Sequence, residues 1–343
     1  MRFALSPEQI DFAASVRKLL DAGRTPTAVR AWASGDSRPG RALIQQLAGS
    51  GVLGLAVDEA HGGVGADPID LVVAFVEIGR SAAPGPLVET AAAIPVLLQS
   101  LSDSAAAERW LPGLAEGTAL GTVAFATPGT DPVALDADVA DVTLLVDGAQ
   151  VFLAERGESI RSVDPARKLF GVTATELVAN DDRVLEAGAL AFDTGALAAA
   201  AQLLGAGRAL LHAATEYAKQ RKQFGKPIGE FQAVKQKLAD VLIGLDLAEP
   251  LLYRAALTMG EPTRGRDVSA AVLACGDAAH TAARAALQVH GAIGYTAEYD
   301  LSLWLTKVTA LRAAWGTPDL HRARIARALR DEAVRDRAIR GTA

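Results

Sequence analysis

Apolar residues along this chain recur at helical spacing, then at strand spacing, then at helical spacing again. Near the start, Phe12, Val16, Leu19 and Leu20 fall three and four residues apart, the stripe of a helix laid on a core. Ser6-Pro7-Glu8-Gln9 in front of them reads as a helix start, with Ser as N-cap, Pro in the first turn and Gln completing a capping box. A second short helix is expected over 41–48, stopped by Gly49 and Gly51. Asp67-Pro68 opens another, whose face carries Leu71, Val72, Phe75, Val76 and Ile78, and further helices run to about Glu116. From Thr118 short β-prone runs (122–127, 142–146, 151–154 and 169–178) lie between Gly, Asp and Pro turns and predict a small antiparallel β unit. After Asp193 the helical period returns and stays. Asp193 precedes Thr194-Gly195 in the manner of an N-cap, and Asp267 or Ser269 caps a long helix that Gly291 ends. Thr317 and Pro318 open the last helix, and Pro250 predicts a kink or break near Ala248. These shifts divide the chain into 1–117, 118–190 and 191–343.

Composition narrows the class. At 343 residues the chain is long enough for two or three domains, and 50% hydrophobic with 22% charged residues is an ordinary globular balance. A net charge of −6 argues against a general nucleic-acid binder. The single cysteine, Cys275, excludes an intrachain disulfide framework and any multi-Cys metal site, and its Ala-rich surroundings suit a small core residue. No histidine (His61, His212, His280, His321) has the Cys or carboxylate spacing of a metal site, and His290 at a helix end suits packing or the helix dipole. Without a signal peptide or a long uncharged apolar run, the expectation is a cytoplasmic protein that engages no membrane.

The stretch 216–240, EYAKQRKQFGKPIGEFQAVKQKLAD, joins two helical runs. In the second, Val234, Leu238, Val241, Leu242 and Leu245 predict one buried stripe. Gly225 and the segment 227–229 break the helix between the runs. The tip therefore carries Arg221, Lys222, Gln223, Phe224 and Lys226. A forked guanidinium beside an amide and a ring suits an anionic, aromatic ligand such as an adenine nucleotide diphosphate. The same residues also suit a solvated basic loop with Phe224 as a packing plug.

Tyr217-Ala218-x-x-Arg221-x-Gln223-Phe224-Gly225, followed by Ile228, Gln232, Val234, Leu238, Ala239 and Asp240, resembles the acyl-CoA dehydrogenase family. The resemblance implies a mainly α fold with a helical N-terminal domain, a reduced middle β domain and a C-terminal four-helix bundle that makes the oligomer. It also implies that Arg221, Gln223 and Phe224 reach across a subunit interface to the diphosphate and adenosine of a neighbour's FAD. The turn 288–295, QVHGAIGY, resembles the family's Gln-x-x-Gly-Gly-x-Gly motif and adds Gln288, Gly291 and Ala292 to the FAD-binding set, with Ala292 replacing the second Gly. The glycine-rich loop 57–67 lacks the strand of a Rossmann motif and resembles a family loop between N-terminal helices.

Chemistry is where the chain departs from its relatives. The family reaction sends an α-proton of an acyl thioester to a Glu while a β-hydride goes to flavin N5. Counting forward from Glu298-Tyr299, one family position for that Glu is Trp315, and the other falls near Gly195. Neither residue can accept a proton, and Asp193 is the nearest carboxylate. The family's central motif is reduced to 126–131, ATPGTD, and the Trp-Ile-Thr strand beside the flavin has no counterpart. Asp319 stands where relatives often carry a Gln near the flavin diphosphate, which a carboxylate would repel. This pattern resembles the short, base-less subunits of actinobacterial heteromeric, steroid-type acyl-CoA dehydrogenases. It implies FAD as cofactor, no metal, no catalytic residue in this chain, and a full-length partner that supplies the Glu in a two-plus-two heterotetramer acting on a bulky, possibly steroid side-chain, acyl-CoA. Two other readings stand beside it. One is a homomeric dehydrogenase or oxidase with a relocated base, and the other is a flavin-free structural or regulatory protein.

Overall fold

The computed structural model describes residues 4–296 and 299–341, so Glu298, used above to count the register, lies outside the described residues. Six helices come first: α1 (Pro7–Ala22), α2 (Thr25–Ala33), α3 (Arg38–Gly49), α4 (Pro68–Ser81), α5 (Ile94–Gln99) and α6 (Ala105–Ala115). The capping box forms as expected: Gln9 N donates to Ser6 Oγ at 3.2 Å and Ser6 N to Gln9 Oε1 at 3.0 Å. Asp67 occupies the N-cap of α4, but its side chain caps nothing. A π-helical turn, Glu89–Ala93, leads into α5.

A five-stranded sheet follows, built from β1 (Gly121–Phe125), β2 (Val133–Leu135), β3 (Val142–Asp147), β4 (Gln150–Ile160) and β5 (Leu169–Ala179), in the order β1-β3-β4-β5-β2. The expected all-antiparallel unit is mixed, because β1 pairs with β3 in parallel, Gly121 opposite Val142. The chain between them carries β2 to the far edge of the sheet, and that crossover permits a parallel pair. β2 is three residues long, too short for its alternation to register in sequence.

The helices α7 (Val184–Gln220), α8 (Gln232–Leu257), α9 (Arg264–His290), α10 (Leu301–Ala314) and α11 (Pro318–Gly341) complete the chain. α7 is the central rod of a bundle with α8, α9 and α10, and α11 lies along α9. By length and composition α7 could cross a membrane, yet 72% of its apolar window is buried inside the protein. It also lies against α4 at van der Waals range: a Cβ on Gly205 would sit 1.8 Å from the Val76 carbonyl oxygen, and one on Gly79 would sit 2.1 Å from that of Gln202. One continuous hydrophobic core joins the N-terminal helices, one face of the sheet and the bundle.

Four helix expectations need correction. α7 begins at Val184, so Asp193 is in mid-helix and caps nothing. α9 begins at Arg264 with Thr263 as N-cap, and Asp267 sits in its first turn, accepting from Thr263 Oγ1 at 2.9 Å. α8 runs unbroken through Pro250. Proline there removes the amide that would bond the Asp246 carbonyl, but Asp246 is exposed and water can take its place. Leu242 is also outside the predicted buried stripe: with Ile243, Leu247 and Leu251 it forms a second, exposed apolar face on α8. Cys275, by contrast, is fully buried in α9 as expected, and burial pushes its thiol up to about 12.

Candidate functional site

The basic tip folds as a two-stranded hairpin, β6 (Lys222–Gln223) against β7 (Lys226–Pro227). Phe224 and Gly225 form its turn with φ of 51° and 82°, the positive pair that a type I′ turn requires. Phe224 is 92% exposed, so the packing-plug reading fails. A bulky aromatic held at positive φ and pointing outward is costly unless something outside the chain uses it. Arg221, Lys222, Gln223 and Lys226 are exposed around it, and among the described residues Arg221 makes no ion pair.

A ring stack brings the second motif to the hairpin. Tyr217, four residues before Arg221, stacks on His290 with centroids 4.3 Å apart, and Tyr299 lies tilted against His290 at 5.3 Å. His290 Nδ1 donates to the Ala286 carbonyl at 2.8 Å, and burial lowers its pKa, so the ring is a neutral packing element. Gln288 thereby joins Gln223 and Phe224 around a hollow of about 340 Å³. It also joins Gly291 at the edge of a groove of about 1190 Å³ between α8 and α9. Arg221 and Ala292 are exposed beside these hollows but line neither. An aromatic, amides and exposed cations at one edge can hold an anionic nucleotide supplied from outside the chain.

The other half of the expected site is filled. Trp315 is 6% exposed and abuts Gly195, where a Cβ would come within 2.3 Å of the indole. The two positions that could have carried the base therefore touch each other. Phe125, Phe192 and Trp315 meet edge-on or tilted with centroids 5.7 to 6.1 Å apart. His321 stacks on Phe192 at 6.4 Å and holds the Trp315 carbonyl through Nε2 at 2.9 Å. The shortened motif beyond Phe125 is an exposed turn with Gly129 at φ 81°. Asp193 is 1% exposed and clamped by two guanidiniums, Arg264 Nε at 2.9 Å and Arg324 Nη2 at 2.6 Å. A carboxylate so engaged is a brace for α7, α9 and α11. Asp319, expected to face the diphosphate, is 94% exposed and pairs with Arg322.

A buried carboxyl that the sequence reading missed lies behind this cluster. Burial pushes the Glu89 carboxyl up, against the pull of Arg167 and Lys307. Its neighbour Asp136, also pushed up by burial to about 7, accepts from Trp32 Nε1 and Lys168 N, each at 3.2 Å. Burial lowers Lys307 to about 8 while Nζ donates to the Ala83 carbonyl at 2.6 Å. A lone Glu in the apolar run LVETAAA was the available signal. Asp136 makes a sign-specific prediction. Between pH 3.8 and about 7 the folded chain keeps a proton that the unfolded chain releases, so this group costs stability progressively as pH rises. Asp136→Asn should gain on the parent between pH 4.5 and 7 in urea-melt midpoints; a constant difference across that range would refute the assignment.

Comparison with known proteins follows the same outline. Residues 6–118 match the acyl-CoA dehydrogenase N-terminal domain and residues 187–330 the acyl-CoA dehydrogenase C-terminal domain. The acyl-CoA dehydrogenase IpdE2 of Mycobacterium tuberculosis is 32% identical over 288 residues, covering 82% of this chain and 85% of IpdE2. The ChsE4-ChsE5 complex from the same organism shares the fold at a TM-score of 0.82 and 24% identity, covering 96% of this chain and 99% of that one. The steroid acyl-CoA dehydrogenase Tcur3481-Tcur3483 does so at 0.81 and 23%, covering 95% and 99%.

Proposed function

This chain belongs to the acyl-CoA dehydrogenase family, and on that premise we propose that it is the FAD-clamping, base-less subunit of a heteromeric acyl-CoA dehydrogenase. A full-length partner supplies the catalytic Glu and the flavin-ring pocket in a two-plus-two heterotetramer, and the substrate is a bulky acyl-CoA of the steroid side-chain type. The observation that carries this reading is the contact of Trp315 with Gly195. It fills both base positions with groups that take no proton, while Phe224 stands fully exposed on the hairpin that follows α7.

The residues present fit one arm of the family's cofactor and not the other. At the hairpin, the Arg221 fork and the Gln223 amide suit a diphosphate, Phe224 suits the adenosine, and Gln288, Gly291 and Ala292 offer donors and close backbone approach. In this chain's own cleft the rings of Phe125, Phe192 and Trp315 pack on one another as an apolar cluster, and no step is assigned there. FAD, when bound, supplies the hydride acceptor; the part of this chain is to hold its diphosphate end and to exclude water from it. The exposed apolar face of α8 gives a partner's helices a place to bury. ChsE4-ChsE5, of the same fold, was solved as a complex of two components, and Tcur3481-Tcur3483 bears the name of a steroid enzyme. Cytoplasmic residence without membrane or nucleic-acid contact belongs to the same proposal.

Flavin counting tests it. Purified alone, the chain should carry little FAD by absorbance after denaturation, and should turn yellow when co-expressed with a family member that has the Glu. Arg221→Ala should weaken retention in that complex by about 1.5–3 kcal/mol, the scale of a charged hydrogen bond, with Arg221→Lys restoring only part. A stoichiometric flavin in the isolated chain would sink the proposal.

A further inference from the structure

The groove between α8 and α9 is open where the hairpin hollow ends. The two cavities share Ala233, Lys237 and Gln288, so a ligand seated against Gln223 and Phe224 has an uninterrupted path into the groove. Residues 233, 237 and 241 mark one face of α8, and 281, 284 and 288 mark the facing side of α9, giving a channel about 12 Å long. Lys237 stands on one wall and Arg284 on the other. Among the described residues neither makes an ion pair, and Asp240 is the one carboxylate of the lining, so the groove is net positive. Ala285, Leu287 and Val241 give it an apolar floor, and Tyr295, 76% exposed, stands at its edge.

Unpaired cations are ordinary on a surface, where each would point into bulk water. Here both line one concave volume that already contains Gln288, and an apolar floor beneath two cations matches a purine attached to phosphate. We infer that Lys237 and Arg284 are positioning residues for the diphosphate–adenosine arm of the clamped dinucleotide, which continues from the hairpin into the α8–α9 groove. The inference rests on the FAD-clamping role proposed above and extends it to residues outside the family motif. Lys237 acts as a point charge and Arg284 as a fork, so the site recognises phosphate from two sides. The attraction is a surface one and weakens as salt shortens the screening length to about 8 Å.

Calorimetric titration of the full chain with ADP, with FMN as the control ligand, tests it without any turnover. Lys237→Ala and Arg284→Ala should each weaken ADP binding at least about tenfold, the size of a lost charged hydrogen bond, and flatten its salt dependence. Arg284→Lys should recover part of the loss, and the response to FMN should not change. Both side chains are solvent-accessible and circular dichroism should match the parent. Absence of ADP binding by the parent chain would overturn the inference, as would equal binding by parent and variants. Variants that keep ADP but lose assembly with the partner would make the groove a protein-docking surface, again overturning it. The flavin count of the co-expressed complex is read separately, so failure of the clamping role and failure of these two residues are told apart.

Discussion

In the proposed heteromeric complex, replacing the partner's Glu by Gln should lower turnover by about 10²–10⁴-fold, the usual cost of losing a general base. No substitution of a carboxylate in this chain should approach that. Asp193→Asn is the informative contrast. Its carboxylate carries two charge-assisted hydrogen bonds from Arg264 and Arg324, so the variant should lose about 3 kcal/mol of stability, the low end for breaking a buried pair because both guanidiniums are partly hydrated. Turnover per bound flavin should change by less than about tenfold, because no proton passes through this group. The assay compares both variants on one acyl-CoA with an artificial electron acceptor, normalised to flavin. Loss of turnover in Asp193→Asn, with fold and flavin intact, would make this subunit catalytic and the homomeric reading correct.

The second large effect is structural. Trp315→Ala should destabilise the chain by about 3–5 kcal/mol, the range for deleting a large buried aromatic. The indole fills the space over Gly195 and abuts Phe125 and Phe192. Trp315→Glu should be at least as costly, since it would set a second carboxyl beside Glu89 in an apolar cluster. Neither variant should give the isolated chain acyl-CoA dehydrogenase activity. A denaturant midpoint unchanged from the parent would show that the cluster is loosely packed and that the cleft could admit a ligand.

The fold was legible where local rules act alone. Ser6 and Gln9 spell out their capping box, Gly291 ends α9 and Thr317 caps α11 through the Leu320 amide at 3.2 Å. The break between α7 and α8 was legible too, because Gly225 and the segment 227–229 interrupt the helical pattern, whereas the outward turn of Phe224 at positive φ was not. Misreadings arose where tertiary structure outweighs a local signal. Asp193 has the sequence context of a cap, but burial against α9 carries the helix back to Val184 and turns the residue into a brace. Pro250 is a helix breaker whose cost falls on an exposed carbonyl. The contact of Trp315 with Gly195, 120 residues apart, and the groove that pairs Lys237 with Arg284 have no trace at short range, since only the folded chain brings those residues together.

The close approach of α4 and α7 at Gly79 and Gly205 bears on whether this protein is modular. The hairpin hangs from the end of α7, about 24 Å along the rod from Gly205. The rod is gripped there by backbone against backbone, with no side chain between to absorb a slip. The N-terminal helices are therefore part of the mount of the hairpin tip, and the helical C-terminal segment is not a cassette that could be excised or grafted onto another scaffold. Tension applied at the tip is borne by the whole chain, so inheritance of the hairpin requires inheritance of the first helices with it.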